Sequence, residues 1–384
     1  MKNKKLTLFK RKKGAVVSAL QTGRDRPSLL WNMTFNPNEL SLYTALREAI
    51  PVIDAAIGKT VRLIGGFNVK CSQTGAQRAL DTFLQNVPVG LCSTGIKSFI
   101  SCYFDQLLTY GTAVGEMVTD KSGALAALYN ANLSDIELIR QGPMQIGVGI
   151  HSGGDVVPVK RPDLILVSAL NPTPGQVGGN SILKGLPFVS SILLNIFNTI
   201  GTNWERAGNI RYAVTYRPPK DGLDAQWPSE RVAEIAREWS AAMSDTGSVK
   251  DFVSVGDVDI KVIGSDGPIL DSAVPVRQLL EQIIAKLSIP PFMLGLSWST
   301  TERMSSQQAD MLTSELEYYR SLLTPVIARI CRMFLCTHGY FCDFKVEWEP
   351  INLQDEVELA KARLLNARAR QIEQDLKGCG DYEK

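Results

Sequence analysis

The spacing of apolar residues predicts helices over much of the chain. From Ser41 onward they recur every three to four residues, and Pro51 is expected to kink or divide this first helical segment. The same spacing predicts helices over residues 76–85, 95–110, 181–208, 271–287, 306–337 and 354–376. The helix over 306–337 would be about 48 Å long at 1.5 Å per residue, and Pro325 should break or bend it.

Between these helices, apolar and polar residues alternate in short stretches that predict strands. Residues 112–119 and 124–129 are expected to form a hairpin around a turn at residues 120–123. Further strands are predicted over residues 136–139, 163–168, 210–216, 252–255, 258–263 and 343–349. Ser229 should cap a short helix, and the Pro- and Gly-rich residues 171–179 should form a loop. The pattern therefore indicates a mixed α+β chain without an internal repeat.

Charge changes this picture because the basic residues are concentrated at the N-terminus. The chain has 384 residues, which suits two or three lobes or one elongated subunit. Its 41 basic and 39 acidic residues give a net charge of only +2. Nine basic and two acidic residues fall within residues 1–40, which leaves a net charge of −5 on the other 344. This distribution argues against a protein that coats DNA with a basic body.

Residues 1–40 are predicted to form a basic flexible arm, because they lack sustained periodicity and contain several glycines and prolines. The densest basic stretch of the arm is Lys10, Arg11, Lys12 and Lys13. Two interpretations fit this composition. The arm is either a solvated tail, or a segment that contacts nucleic acid or an acidic protein surface.

The cysteines and the most apolar window indicate the cellular compartment of the protein and whether it spans a membrane. Seven cysteines at irregular spacing in a long chain indicate reduced thiols in a cytosolic setting, not a disulfide framework. The most apolar window, residues 183–200, contains Lys184, Pro187 and several Ser, Asn and Thr residues. These are too many polar groups for a bilayer span, so the window is expected to be a helix buried against protein.

Two glycine-containing motifs resemble nucleotide-binding sequences only in part. The GKT sequence at residues 58–60 resembles the end of a phosphate-binding loop, but the glycine required five residues before its GK pair is Ile53. The GVG sequence at residues 147–149 begins a dinucleotide-binding pattern, but Ser152 occupies the position of its last glycine. A glycine-rich turn is expected there instead.

One cluster contains only residue types that bind zinc, namely Cys331, Cys336, His338 and Cys342. Its spacing, Cys-x4-Cys-x-His-x3-Cys, is not a familiar zinc motif, and buried cysteines at a helix end are the preferred interpretation. The other histidine, His151, is expected in an exposed turn. The sequence therefore predicts no metal, no cofactor and no catalytic residue.

Four local patterns occur in an order that is informative as a set. They lie at residues 111–129 (GTAVGEMVTDKSGALAALY), 179–183 (GNSIL), 289–295 (IPPFMLG) and 322–326 (LLTPV). They resemble, in turn, the central hairpin, the start of the stem helix, the proline pair before the tunnel loop and the following helix of one family. That family is the portal proteins, or head–tail connectors, of tailed bacteriophages, of the long-tailed siphophage type. The resemblance covers about residues 41–376, and the ordered set carries it rather than any single motif.

The resemblance implies an α+β fold, an elongated portal-like subunit with a wing, long stem helices, a small α+β clip, a tunnel loop and a short helical crown. The implied segments after the arm are the wing at 41–180, the first stem helix at 181–209, the clip at 210–267, the second stem helix at 268–289, the tunnel loop at 290–305, a long helix and wing strand at 306–350 and the crown at 351–384.

The resemblance also implies a structural protein that is not an enzyme. Portal proteins form homo-oligomeric rings, usually dodecamers, at one capsid vertex of the virion, and they pass double-stranded DNA during packaging and ejection. The implied partners are terminase, which supplies the ATP hydrolysis, a head-completion adaptor and the major capsid protein. Assembly would take place in the host cytoplasm, and no membrane is involved.

Two residue sets follow from this assignment. The residues expected to face DNA in the tunnel loop are Trp298, Ser299, Thr300, Thr301, Glu302 and Arg303. The residues expected to dock the adaptor from the clip are Arg217, Pro218, Pro219, Lys220 and Trp227. The loop is small and hydroxylic, with one acidic and one basic residue that offset each other. This composition suits a channel in which DNA must slide, since each tight phosphate contact would add affinity.

Two other functions remain open from the residues alone. One is a nucleotide- or zinc-dependent cytosolic hydrolase, supported only by residues 58–60 and the cysteine cluster. The other is a membrane-associated protein, with the arm on acidic lipid and residues 183–200 inserted.

Overall fold

The structure is a computed structural model that divides the chain into two compact units. Unit 1 contains residues 1–183 and 297–384, and unit 2 contains residues 184–296. Unit 2 is thus one continuous segment, inserted between the two segments of unit 1 in the sequence. The residues described are 32–34, 37–142, 145–152, 155–208, 211–217, 230, 232–237, 257–263, 271–296, 302–351, 353, 364–365 and 367–371.

Helices supply the long elements of both units. In unit 1 they are α1 (Pro37–Ala49), α2 (Pro51–Leu63), α3 (Thr74–Asn86), α4 (Ile96–Tyr110) and α8 (Glu302–Thr337), and in unit 2 α5 (Leu186–Gly208), α6 (residues 232–237) and α7 (Ala273–Leu287).

The predicted division at Pro51 is confirmed. Ile50 has extended backbone angles (φ −124°, ψ 94°), as expected for a residue before proline. Helix α8 runs through Pro325 for 36 residues, or about 54 Å, so the proline does not break the helix, while the alternative of a bend stays a prediction. Pro325 and Ser321 are both exposed, so water can solvate the Ser321 carbonyl that would have accepted the missing N–H.

Short strands complete unit 1 and form one antiparallel pair in unit 2. They are β1 (Asn32–Thr34), β2 (Phe67–Cys71), β3 (Pro88–Val89), β4 (Ser93–Thr94), β5 (Thr112–Thr119), β6 (Leu125–Asn130), β7 (Ile136–Gly142), β8 (Gln145–Ser152), β9 (Asp155–Pro158), β10 (Ile165–Ala169), β11 (Arg211–Arg217), β12 (Asp257–Ile263) and β13 (Phe344–Trp348). The sheets have the orders β1-β7-β8-β9, β10-β5-β6-β3-β4, β11-β12 and β13-β2. Their pairings are antiparallel except for β3 with β6.

The main core of unit 1 lies between α4 and the five-stranded sheet. Phe99, Phe104 and Leu107 of α4 are fully buried. Tyr103 is also buried, and its hydroxyl donates a hydrogen bond to Ser168 Oγ of β10 at 2.9 Å. Burial of this aromatic face supplies the largest apolar contribution to unit 1, since each buried ring removes 150–250 Å² or so from water.

The structure corrects three boundaries predicted from the sequence. The flexible arm was expected to extend to residue 40, but β1 pairs with β7 and α1 begins at Pro37, where proline suits the first helical turn. Residues 147–149 lie in strand β8 and not in a turn, and His151 lies near the exposed end of the same strand. Helix α5 begins at Leu186 and not at Ser181, because Gly185 has a left-handed backbone (φ 94°).

Several predicted features lie outside the described residues. These are the strand over 252–255, residues 10–13 of the arm and most of the C-terminal helix over 354–376. Within that last stretch, residues 364–365 and 367–371 are helical, as predicted.

Candidate functional site

The described elements of unit 2 include the helices α5, α6 and α7 and the antiparallel strand pair β11 and β12. Helix α5 packs against α7, and β11 pairs with β12 in a seven-residue register from Arg211 opposite Ile263 to Arg217 opposite Asp257. Arg217, predicted to dock a partner, is therefore the last residue of β11. The other four predicted docking residues, Pro218, Pro219, Lys220 and Trp227, lie outside the described residues.

Helix α5 carries no charged residue from Leu186 to Trp204, a length of about 28 Å. Leu193 is fully buried, yet Phe197 and Trp204, which continue the same helical face, are 45% and 64% exposed. Helix α7 is eight residues shorter than α5, so about 12 Å of α5 extends beyond the length that α7 can cover. An uncharged helix with exposed aromatic side chains is typical of a surface that another protein covers.

From Leu186 to Trp204, the opposite face of α5 is polar but still uncharged, and Glu205 and Arg206 follow this stretch. Ser191, Asn195, Asn198, Thr199 and Thr202 are all exposed there. The two threonine hydroxyls donate to the carbonyls of Asn195 and Asn198, four residues earlier. This stretch offers amide groups to a ligand without any full charge, so it cannot form salt-dependent ion pairs with phosphate.

The segment predicted as a tunnel loop is only partly irregular. A 3-10 turn at Pro291–Leu294 follows α7, and Gly295 closes it with a left-handed backbone (φ 77°). Trp298, Ser299, Thr300 and Thr301 lie outside the described residues. Glu302 and Arg303 form the first turn of α8, so their assignment to a loop is wrong. No apolar periodicity marks this first turn, because the buried stripe of α8 starts only at Ala309 and Leu312.

The chain leaves unit 1 through a tight backbone crossing. The Leu170 N–H donates to the Gly111 carbonyl at 2.8 Å, and the Asn180 N–H donates to the Leu170 carbonyl at 2.7 Å. A Cβ added to Gly111 would lie 2.3 Å from the Asn180 carbonyl carbon, and one added to Gly179 would lie 2.1 Å from the Gly111 oxygen. The three segments therefore approach as closely as backbone allows, and only glycine fits at both positions.

Side chains strengthen this crossing. The Ser181 hydroxyl donates to the Thr109 carbonyl at 2.5 Å and accepts from the Leu183 N–H at 2.9 Å. The Gly179 N–H donates to Thr112 Oγ1 at 2.9 Å. The connection from unit 1 to unit 2 thus starts from a fixed point on unit 1, just before the boundary at Leu183. Sequence analysis identified this stretch only as a motif and missed the crossing itself.

A buried arginine fixes α8 within unit 1. Arg320 is 3% exposed and donates to the Ile64 carbonyl through Nε at 2.9 Å and Nη2 at 2.7 Å. Its guanidinium also lies 5.1 Å from the centre of the Trp348 ring and pairs with Glu317 at 3.0 Å. Sequence analysis missed this residue, although an arginine four residues after Leu316 on the apolar side of a helix was a usable signal.

The proposed nucleotide and zinc motifs do not form sites. Residues 58–60 lie inside α2, so no loop backbone there can cradle a phosphate. Within the described part of the chain, no group of three or more His, Cys, Asp or Glu side chains could hold a metal ion. Cys331 is fully buried and Cys336 is exposed, while His338 Nδ1 lies 2.9 Å from the Phe334 carbonyl oxygen.

One open groove in unit 1 contains charged residues but no anion site. It is lined by Thr44, Arg47, Glu48, Asp54 and Tyr110, among others. The Arg47 guanidinium is already engaged by Asp54 at 2.7 Å and by Asp105 at 2.6 Å. Burial lowers the pKa of Arg47, but the hydrogen bonds that it donates to the two carboxylates, together with their negative charges, raise it by more. The pairing is therefore a clamp between α1, α2 and α4.

No helix among the described residues combines the length and the apolar composition that a bilayer crossing requires.

Comparisons with known proteins find relatives by structure alone, since no family model and no curated protein matches the sequence. A chain in the virion of a native gene transfer agent (GTA) particle has a TM-score of 0.62 and 15% identity, with 88% of this chain and 90% of that chain covered. A chain in the neck of the native GTA particle, computed with C12 symmetry, gives the same values. An HK97-family phage portal protein from Corynebacterium diphtheriae has a TM-score of 0.43 and 14% identity, with 87% and 97% covered.

The two GTA matches establish the fold of almost the whole chain, including both units. In fold, this chain is therefore similar over 88% of its length to a chain of the GTA neck.

Proposed function

We propose that this protein is a portal subunit. Copies of it form a ring at one capsid vertex of a virion, and the ring is the channel through which double-stranded DNA is packaged and ejected. The observation that carries this proposal is the fold shared with a chain of the GTA neck, a particle part computed with C12 symmetry. We infer a ring of twelve copies by analogy with that symmetry.

The uncharged stretch of α5, from Leu186 to Trp204, supports ring formation. In the proposal, Phe197 and Trp204 pack against the neighbouring subunit, which removes their exposed rings from water. The opposite face, with Asn195 and Thr202, then faces the channel. A channel wall of amides and hydroxyls lets DNA pass without the ion pairs that would hold it.

The proposed role is structural. In this proposal a separate terminase hydrolyses ATP, and the clip around β11 and β12 docks first terminase and then a head-completion adaptor. The major capsid protein would surround the ring, and the basic residues Lys10–Lys13 would contact DNA or the inner shell. The stretch at 297–301 together with the start of α8 would then border the channel.

Ring formation is tested by imaging the purified full chain by negative-stain microscopy and weighing it by mass photometry. We expect annular particles with a central hole and a mass near twelve subunits. A protein that remains a monomer over all concentrations and salt conditions would overturn the proposal.

A pair of matched variants tests the interface. Phe197→Ser with Trp204→Ser removes the exposed aromatic face, and Asn195→Ser with Thr202→Ser changes two residues at the same spacing on the opposite face. We expect the first pair to give folded monomers and the second pair to give rings. Rings from both pairs would show that this face of α5 is not the subunit contact.

A further inference from the structure

The hairpin of β3 and β4 carries a fully exposed leucine at its tip. Val89 of β3 pairs with Ser93 of β4, so the tip between them consists of Gly90, Leu91 and Cys92. Leu91 has a relative exposure of 101%, and Cys92 beside it is also exposed. A leucine side chain gains free energy when another protein surface removes it from water, so this tip suits a contact with a partner.

The base of the tip is held in place by backbone hydrogen bonds. The Gly90 N–H donates to the Leu128 carbonyl of β6 at 3.0 Å, and the Gly95 N–H donates to the Val87 carbonyl at 2.8 Å. Gly90 itself has a left-handed backbone (φ 56°), which sets the direction of the turn. Leu91 therefore projects from a fixed frame, and binding through it costs little ordering of the chain.

A groove at the other end of α4 offers an apolar wall to such a side chain. It is the open groove between α1, α2 and α4, with a volume of about 530 Å³. Pro51 and Ala55 lie four residues apart on α2 and share one face, and Tyr110 lines the groove from the end of α4. The ion pairs of Arg47 tie the three helices together, so the groove keeps its shape before anything binds.

The charges of the tip and the groove are complementary. Lys97, in the first turn of α4, is exposed and is the only charged residue in the sequence from 87 to 98. The lining of the groove contains one basic side chain, Arg47, and two acidic ones, Glu48 and Asp54. A tip with a charge of +1 thus matches a groove with a net charge of −1, which favours encounter between the two surfaces.

The length of α4 prevents the tip from reaching the groove of its own chain. Strand β4 ends at Thr94, two residues before α4 begins at Ile96, whereas Tyr110 is the last residue of α4. The fifteen residues of this helix separate the two surfaces by about 21 Å. Two different surfaces of one chain that fit each other repeat head to tail from copy to copy, and such a contact closes into a ring when its rotation allows.

We propose that the β3–β4 tip of one copy docks in the α1–α2–α4 groove of the next copy. Leu91 then packs against Pro51, Ala55 and Tyr110, and Lys97 attracts the exposed Glu48. This inference rests on the proposed portal ring, and it adds a contact made by unit 1 to the one proposed for α5. Burial of one leucine side chain strengthens association by about 10- to 100-fold.

The native Cys92 makes this contact testable by cross-linking. Purified full chain with Ala55→Cys is treated with a short bismaleimide, which joins neighbouring thiols, and is run on a denaturing gel before digestion for mass spectrometry. We expect covalent dimers and higher multimers that contain a linked peptide pair joining residues 55 and 92. Adding Cys92→Ser should remove this pair. Ala49→Cys is the matched control, because Ala49 is exposed on the face of α1 turned away from Thr44 and Glu48 and should give no link to residue 92.

Substitution of the leucine measures its contribution to assembly. Leu91→Ser should raise the protein concentration at which half of the subunits are assembled by at least about 10-fold in mass photometry. Leu91→Met should assemble at wild-type concentrations, because it keeps the apolar volume. Both variants should keep the wild-type Tm of the isolated subunit, since Leu91 is fully exposed there.

Three results would overturn this contact while leaving the proposed ring intact. The first is ring formation by Ala55→Cys without a link between residues 55 and 92, and the second is assembly of Leu91→Ser at wild-type concentrations. The third is that the linked peptides come from the monomer band of the gel, since they then belong to one chain. Imaging of the wild-type protein separates these cases from failure of the proposed function, because absence of any wild-type ring would remove the ring and this contact together.

Discussion

Replacing Gly111 with alanine should destabilise unit 1 through two separable effects. The first is conformational, because Gly111 has φ 77° and an L-residue in the left-handed region loses about 1 kcal/mol. The second is crowding, because the new methyl group would lie 2.3 Å from the Asn180 carbonyl carbon and 2.4 Å from the Ser181 nitrogen. Both neighbours are backbone, so neither can rotate away.

Relief of the crowding requires the chain at 180–181 to move by about 1 Å, towards ordinary van der Waals distance. That movement would strain the hydrogen bonds from Leu170 N to Gly111 O and from Asn180 N to Leu170 O, and the bond from the Ser181 hydroxyl to Thr109 O. Each such bond contributes about 1 kcal/mol, and more when a buried partner is left unpaired. The expected total loss is therefore about 3–4 kcal/mol.

Gly123→Ala is the matched control. Gly123 has φ 85° in the turn between β5 and β6, and no atom lies within 4 Å of its added Cβ. It should show the conformational loss alone. Thermal unfolding followed by circular dichroism should give a Tm decrease of about 2–4 °C for Gly123→Ala and about 10 °C for Gly111→Ala. Equal decreases for the two variants would refute the crowding argument.

Three further predictions concern other parts of unit 1. Arg320→Ala should lower the free energy of unfolding by about 3–5 kcal/mol in urea titrations, because it leaves the buried Ile64 carbonyl without its donors. Glu317 is an exposed partner of the same arginine, so the control variant Glu317→Gln should lower the free energy of unfolding by less than about 1 kcal/mol. Hydrogen bonds from Ser122 and the following backbone lower the pKa of Asp120, so its stabilising effect is present above the unfolded pKa and is lost as pH falls through the folded pKa. The Tm difference between wild type and Asp120→Asn should thus be clear near pH 7 and shrink below about pH 4; a constant difference would contradict this. Deletion of residues 1–31 should leave the number of subunits in the assembled particle unchanged, since β1 and α1 lie after the cut. Mass photometry gives this number as the particle mass divided by the mass of the shortened subunit.

Local signals explain which elements could be predicted. Pro51 divides α1 from α2 through its own steric effect on Ile50, and the turn between β5 and β6 is set by the Asp120 side chain, whose oxygen accepts from the N–H groups of Ser122 and Ala124. Both features were predicted. Strand β8 was missed because its two glycines, at 147 and 149, mimic a turn, and its place in the sheet is decided by β7 and β9.

The candidate site was harder to predict than the fold. The need for glycine at 111 and 179 arises only when two segments distant in sequence cross, and no local pattern encodes that distance. The start of α8 at Glu302 was also missed, because its first turns are polar and show no apolar stripe. The absence of charge between Leu186 and Trp204 of α5, by contrast, can be read from the sequence alone, since the uncharged stretch is continuous.

The pairing of β2 with β13 has a consequence for how the chain folds during synthesis. Phe344 lies 273 residues after its partner Cys71, so β2 leaves the ribosome long before β13 exists. At the usual 5–20 residues per second, roughly 14–55 s pass between the two. During that interval the pairing edge of β2 is open, with Phe67 and Val69 lacking the strand that later lies beside them. Unit 1 is therefore completed last, after the whole of unit 2 has been made, and chaperone protection of β2 matters most in that window.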